Sequence, residues 1–175
     1  LIELSVKVRT GSVYDPADKI GLASITGSVM RTGGAGKRTG DEIDEELERI
    51  GASVETWIGS TEGGAWISVL KEDVDKGLSI LADILMDPKF DQDKIDLAKV
   101  EQKSAISRRN DQVGQIAGRE FYKLIYGAES PYARTTEYYT IDNIKREDLV
   151  EFHKRYFHSN SVIIGVWGDF KTKEM

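Results

Sequence analysis

Cysteine is absent from the 175 residues, and histidine occurs only as His153 and His158. The first absence excludes a disulfide framework, a thiolate zinc site and a cysteine nucleophile, while leaving the redox compartment open. No block of roughly five or six like charges occurs, which argues against a nucleic-acid-binding tail. The longest apolar runs, such as residues 162–167, fall far short of the ~20 residues a membrane span needs. No signal-peptide pattern opens the chain. Neither nucleic acid nor a membrane span is therefore expected.

What is present fits one globular domain. With 39% hydrophobic and 31% charged residues, a chain of this length can bury roughly 70% of its unfolded surface without disulfide or metal. The formal charge of −6 is spread among mixed acidic and basic residues, and solubility accounts for it. The chain opens on Leu1, already next to an alternating pattern, and stops soon after Gly168-Asp169-Phe170. We therefore expect residues 1–175 to be a single domain cut from a longer chain, from which an upstream leader could also be missing.

Residues 3–9 alternate polar and apolar side chains, with Leu4, Val6 and Val8 on one face, the period of a half-buried strand. Asp15-Pro16-Ala17-Asp18 reads as a turn, and residues 20–30 as a helix with Ile20, Ala23, Ile25 and Val29 near one side. After a glycine-rich connection at 31–40, Thr39 and Glu42 stand in capping-box spacing before Ile43, Leu47 and Ile50, and Gly51 closes that helix. Residues 52–58 and 65–70 predict an antiparallel hairpin. Val74, Leu78, Leu81 and Leu85 form an apolar stripe that Pro88 ends. Helices follow near 92–109 and 115–125, residues 129–132 form a loop, and a last helix carries Leu149, Phe152 and Tyr156. The Val- and Ile-rich run at 161–167 predicts a buried final strand. Interspersed elements without strict β–α–β alternation indicate an α+β fold, with helices packed on a mainly antiparallel sheet.

Two features resemble a known family. Arg9-Thr10-Gly11-Ser12-Val13-Tyr14-Asp15-Pro16, followed by Lys19-Ile20-Gly21-Leu22-Ala23, resembles the entry to the active-site helix of pitrilysin/insulinase peptidases, processing-peptidase-like proteins among them. The match continues through Lys37-Arg38-Thr39, the helix at 43–51, the hairpin, Leu85-Met86-Asp87-Pro88-Lys89-Phe90, and 144–169 with Glu147-Asp148-Leu149 and Tyr156-Phe157. The resemblance implies a metallopeptidase-homologue domain, the N-terminal part of a chain about twice as long.

In active members Gly-Leu-Ala is followed by H-x-x-E-H. Two histidines at i and i+4 bind zinc from one helical face, and the glutamate beside them takes a proton from the metal-bound water. A further glutamate, roughly 75 to 80 residues on, completes the ligands. Here the five positions read Ser24-Ile25-Thr26-Gly27-Ser28, and a step of 77 residues from Ser28 reaches Ala105, or Ser104 if the register slips by one. The resemblance thus implies a degenerate site: Ser24 and Ser28 at the histidine positions, Gly27 at the base position, Ala105 at the third ligand. Serine hydroxyls are poor ligands beside imidazole or carboxylate, and glycine cannot accept a proton. We expect no catalytic residue and no cofactor in this chain.

Other candidates yield to plainer readings. A spacing of five puts His153 and His158 on different helical faces, unlike a helical zinc pair, so surface or helix-end histidines are expected. Ser24 and Ser28 lack a G-x-S-x-G elbow. Gly33-Gly34-Ala35-Gly36-Lys37 fails as a phosphate loop because Arg31 and Arg38 stand where glycine and a hydroxyl residue belong. The acids Asp41, Glu42, Asp44, Glu45, Glu46 and Glu48 read as a solvated face, with attraction of a basic partner or a cation as the other possibility. Trp57, Trp66 and Trp167 suit core or interface equally. The strand Ala52, Ser53, Val54, Glu55, Thr56, Trp57, Ile58 is either an ordinary edge or, as the resemblance implies, an edge to which extended peptide adds.

The function the resemblance implies is non-catalytic: a chamber wall and substrate support that pairs with a homologous zinc-bearing peptidase subunit, the zinc residing in that partner. The rival reading is a purely structural, core-protein-like subunit without a protease partner. An enzyme of unrelated chemistry finds no nucleophile–base constellation to rest on. The compartment is unknown from the residues, and resemblance to bacterial members with exported partners suggests the periplasm.

Overall fold

The computed structural model describes residues 1–171 and 173. Its frame is an antiparallel sheet of β1 (Ile2–Val8), β2 (Ser53–Ile58), β3 (Gly63–Val69) and β4 (Val162–Gly168), in the order β2-β3-β1-β4. The alternation in β1 sets the layers. Ile2, Leu4, Val6 and Val8 are buried, while Glu3, Ser5 and Lys7 face the other way. Register carries this across the sheet: Val6 lies opposite Ala65 on one side and Ile164 on the other. A slip of one residue would turn every apolar side chain outward.

Seven helices among the described residues complete the α+β fold: α1 (Leu22–Thr32), α2 (Gly40–Arg49), α3 (Val74–Met86), α4 (Gln92–Arg108), α5 (Val113–Tyr126), α6 (Tyr138–Asp142) and α7 (Arg146–Tyr156). The short α6 has no counterpart in the sequence reading. The α2 capping box forms as its spacing predicts, with Glu42 N donating to Thr39 Oγ1 at 3.2 Å and Thr39 N to Glu42 Oε2 at 2.7 Å. Gly51 follows at φ 58, the left-handed conformation that ends such a helix. Several α2 acids are matched within the chain: Asp41 meets Lys94, Asp44 meets Arg31, and Glu46 meets Arg38 and Lys76. The glycine-rich connection is likewise engaged, since Gly36 N donates to Asp87 O, and Gly33 and Gly34 carbonyls accept from Asp91 and Lys89. Its backbone is zipped to the α3–α4 connection.

Three expectations need correction. The α3 stripe is displaced: Gly77, Ile80, Leu81 and Ile84 are buried, whereas Val74, Leu78 and Leu85 sit half-buried at its flank. Helical period alone left the centre of the apolar face one position off. The Val- and Ile-rich final strand is not buried: β4 is an outer strand with Ile163, Ile164 and Trp167 exposed. Composition suited to a central strand here serves an edge. His153 sits in the last turn of α7, as a helix-end residue, but is buried rather than superficial: it packs between Phe90 and Phe157, and its Nε2–H donates to Leu85 O at 2.9 Å. Burial holds its pKa below the usual histidine value. His158 is exposed beside Ser161.

The tryptophans share the sheet face turned away from the β1 core residues. Trp66 lies opposite Ser5 and Glu55, Trp167 opposite Glu3, and Trp57 follows two residues after Glu55 on the same side; Trp57 and Trp167 are 39% and 46% exposed. No residue of α5 is buried, and its Val113 and Leu124 are 82% and 83% exposed. No described helix is long and apolar enough to cross a membrane.

The displaced α3 stripe can be tested by paired truncation. Ile80→Ala, at a fully enclosed position, should cost about 2 to 5 kcal/mol. Leu78→Ala should cost about 1 kcal/mol, since half-burial forfeits only part of a side-chain transfer. Urea unfolding of both variants gives the comparison; equal losses would restore the stripe read from the sequence.

Candidate functional site

The N-terminus of α1 has no side-chain cap of its own. Gly21 occupies the cap position at φ 110, where a Cβ would meet Ile141 Cδ1 at 2.7 Å, so glycine is required. Asp15 supplies the missing acceptor from the preceding turn: its carboxylate oxygens accept from Gly21 N and Ala23 N, each at 2.9 Å. Only 4% of Asp15 is exposed. Burial is the dominant influence and pushes its carboxyl up to about 6, against the two N–H groups and Arg134, which pull it down. Arg134 ties down the same turn, donating to Asp15 O at 3.1 Å and Val13 O at 3.3 Å.

From this anchored end α1 presents two faces. Ala23, Ile25, Thr26, Val29 and Met30 enter the core, while Ser24 and Ser28, one turn apart, are exposed. Gly27 lies at the border, pressed on β2. Its carbonyl accepts from Thr56 Oγ1 at 2.6 Å, and a Cβ there would stand 2.5 Å from Ile58 N and 2.9 Å from Trp57 C. Helix and strand meet backbone to backbone, so a glutamate at this position requires β2 to move.

Across from Ser24 runs α4. Gln102 Nε2 donates to Ser24 Oγ at 3.1 Å, and Ala105, a turn further along, borders the same recess of about 460 Å³. Ser104 does not border it; its hydroxyl accepts from Arg108 Nη2 at 2.9 Å. The structure therefore brings Ser24 and Ala105 together, with Ser28 and Gly27 on the adjoining helical turn. A second recess, of about 250 Å³, lies between Ser24, Ser28 and Arg31 on α1 and residues 55–58 of β2. Ser24 borders both.

These groups do not fit a zinc ion. Two hydroxyls, a glycine without room for a side chain and a methyl group offer neither an imidazole nor an anionic ligand. Glu55 is the one carboxylate bordering the smaller recess, and one such ligand does not make a site. Among the described residues no group of three or more histidines and acids could hold a metal.

The candidate peptide-binding strand is shorter than expected. Ala52 precedes β2, its N–H closing the α2 turn on Leu47 O at 2.9 Å. Residues Ser53, Val54, Glu55, Thr56, Trp57 and Ile58 form the outer strand, paired only with β3. The open edge is partly blunted, because Arg31 Nε donates to Val54 O while Arg31 Nη2 pairs with Asp44 at 2.7 Å.

Sequence reasoning missed Asp15 as a buried cap, and missed Gln102. The signal for Asp15 was an acid ahead of a helix that lacks a Ser, Thr, Asp or Asn cap of its own. Gln102 had none, since only the packing of α1 on α4 selects it.

A family model described as insulinase, peptidase family M16, matches residues 2–127. The mitochondrial-processing peptidase subunit beta of Dictyostelium discoideum is 25% identical over 98% of this chain and 37% of its own length. The cytochrome b-c1 complex subunit 1 of Caenorhabditis elegans is 26% identical over 94% of the chain and 35% of its own length. The crystal structure of a peptidase M16 inactive domain from Pseudomonas fluorescens superimposes with a TM-score of 0.90 at 21% identity, over 99% of this chain and 42% of that one. The chain thus spans about two fifths of the length of these proteins.

Two measurements probe the anchoring of α1. Asp15 has its folded pKa raised from 3.8 to about 6, so folding favours its protonated form. Its contribution is fully present below about pH 4 and lost as pH rises through about 6, on the order of 3 kcal/mol in all. Unfolding free energies of the wild type and Asp15→Asn, compared between pH 4 and 7, should diverge with the wild type losing ground; a pH-independent difference refutes the buried-acid assignment. Gly27→Ala should gain about 1 kcal/mol of helix propensity but lose about 1 to 3 kcal/mol against the unyielding β2 backbone. Net destabilisation is expected, with Ser24→Ala near neutral; a stabilised Gly27→Ala would show that the strand yields freely.

Proposed function

The chain belongs to the insulinase family, peptidase family M16, and from that premise we propose that it is a non-catalytic member acting as partner subunit to a homologous, zinc-bearing peptidase. The observation that carries this reading is the junction of α1, α4 and β2. In the family pattern, Ser24, Gly27, Ser28 and Ala105 take the places of the ligands and the base, and Gly27 is closed by strand backbone. Zinc belongs to the partner, and this chain contributes wall and support. The inactive-domain structure of the same fold is consistent with that role, and the processing-peptidase relative is itself named as a subunit.

The outer strand β2 would hold extended peptide by backbone hydrogen bonds, with Arg31 displaced from Val54 O as the peptide pairs. The exposed tryptophans on the open sheet face and the exposed apolar side chains of α5 provide surface of the kind that assembly covers. The coverage of relatives supports a chain about twice as long, of which these residues form the N-terminal domain. The compartment that accompanies this reading is the periplasm.

A second reading has its own support. The relatedness to a cytochrome b-c1 complex subunit favours a structural, core-protein-like role with no protease partner. Co-purification of the full-length protein from its native cell, followed by peptidase assays on the complex and on each chain, separates the two. The partner reading expects a zinc-bearing homologue in the complex and chelator-sensitive hydrolysis that falls at least tenfold without this chain. An assembly without such a homologue favours the structural role, and chelator-sensitive hydrolysis by this protein alone overturns both.

A further inference from the structure

The larger recess holds charge that the proposed function does not use. Three guanidinium groups from separate segments border it: Arg109 at the end of α4, Arg119 on α5, and Arg134 in the connection before α6. Two carboxylates stand against them. Glu137 is committed to Arg109, whose Nη1 and Nη2 reach its two oxygens at 2.9 Å each. Asp15 turns both of its oxygens to the N–H groups of α1.

Arg119 and Arg134 therefore make no direct carboxylate ion pair among the described residues, and act on Glu120 and Asp15 only through space. Arg119 donates to Arg109 O at 3.2 Å and Asn110 Oδ1 at 2.7 Å, both neutral acceptors. Arg134 donates to two backbone carbonyls, and its buried Nε has no hydrogen-bond partner. A guanidinium stays charged at any physiological pH, and its planar fork matches a carboxylate far better than isolated carbonyls do. Such a surplus is notable in a chain of net charge −6. Ser24, Gln115 and Thr136 add polar groups to the wall. The volume of about 460 Å³ lies within the roughly 300–1,000 Å³ of small-ligand sites.

We propose that this recess binds a carboxylate group, with Arg119 as the residue that meets it. The carboxylate can come from an acidic residue of an extended peptide or from a free dicarboxylic acid. Continuity favours the peptide, because Ser24 borders both this recess and the groove along β2. The peptide source rests on the reading of β2 as a peptide-holding strand, whereas the recess itself does not.

Calorimetric titration of the full-length protein with glutarate, with an extended Glu-containing peptide, and with its Glu-to-Gln counterpart tests both links. The acidic peptide should bind at least tenfold more tightly than the amide one. Arg119→Gln should abolish that difference while the variant still unfolds in a single cooperative transition, and Arg119→Lys should retain part of it. Peptides that bind equally well in wild type and Arg119→Gln overturn the recess assignment and leave β2 standing. Arg119-dependent binding of glutarate without either peptide upholds the recess and removes β2 as a peptide strand. No binding by any carboxylate, or tighter binding of inorganic phosphate than of glutarate, refutes the proposal.

Discussion

Helix α1 can take only one position, and the candidate site follows from it. Its first turn arrives with free N–H groups and a left-handed glycine instead of a cap, and those donors need partners in a buried setting. Asp15 meets two of them, although burial raises the free energy of its charged form. Arg134 then holds the Asp15 turn by its carbonyls. About one turn beyond Ala23, Gly27 rests on the β2 backbone and Thr56 bonds its carbonyl. Pinned at both points, α1 has no freedom to rotate. Ser24 and Ser28 must face outward, Ser24 must meet Gln102, and the groove along β2 takes its floor from α1.

This arrangement was partly legible in the residues. The β1 alternation, the Thr39/Glu42 capping box and the β2–β3 hairpin are local devices, fixed by neighbours in the chain, and each formed where its pattern predicts. Burial is another matter, because it depends on what arrives from elsewhere. The β4 run is rich in Val and Ile, yet the described sheet places nothing beyond it. His153 does lie in the last turn of α7, but its burial comes from Phe90 of the α3–α4 connection and Leu85 of α3, which the local pattern does not reveal. The stripe on α3 erred by one position because Gly77, which no hydrophobicity pattern selects, packs directly against Ile67 and Val69.

Legibility at the site divides along the same line. The exposure of Ser24 and Ser28 follows from helical period, since Ile25 and Val29 fix the buried side. The guanidinium groups around the recess could not be foreseen. Arg109, Arg119 and Arg134 come from the end of one helix, the middle of a second and a loop, and only the packing of α1 on α4 with the loop folded back to Val13 brings them together. Each taken singly reads as an ordinary surface cation.

The separation of faces on α1 is compatible with the proposed loss of metal ligands. The side chains that hold α1 in the core, Ala23, Ile25, Val29 and Met30, are fully enclosed, and none belongs to the positions where ligands or a base are expected. Burying each large apolar side chain is worth about 1.5–3 kcal/mol, while exchanging an exposed residue elsewhere on the helix is usually worth less than about 0.5 kcal/mol. Changes on the outer face therefore leave the fold nearly untouched. Gly27 alone belongs to both faces, and there the two demands conflict: a side chain long enough to act as a base requires the strand to stand off, whereas close packing requires none. In this chain close packing prevails, which gives β2 a backing of helix backbone at the edge proposed for peptide pairing.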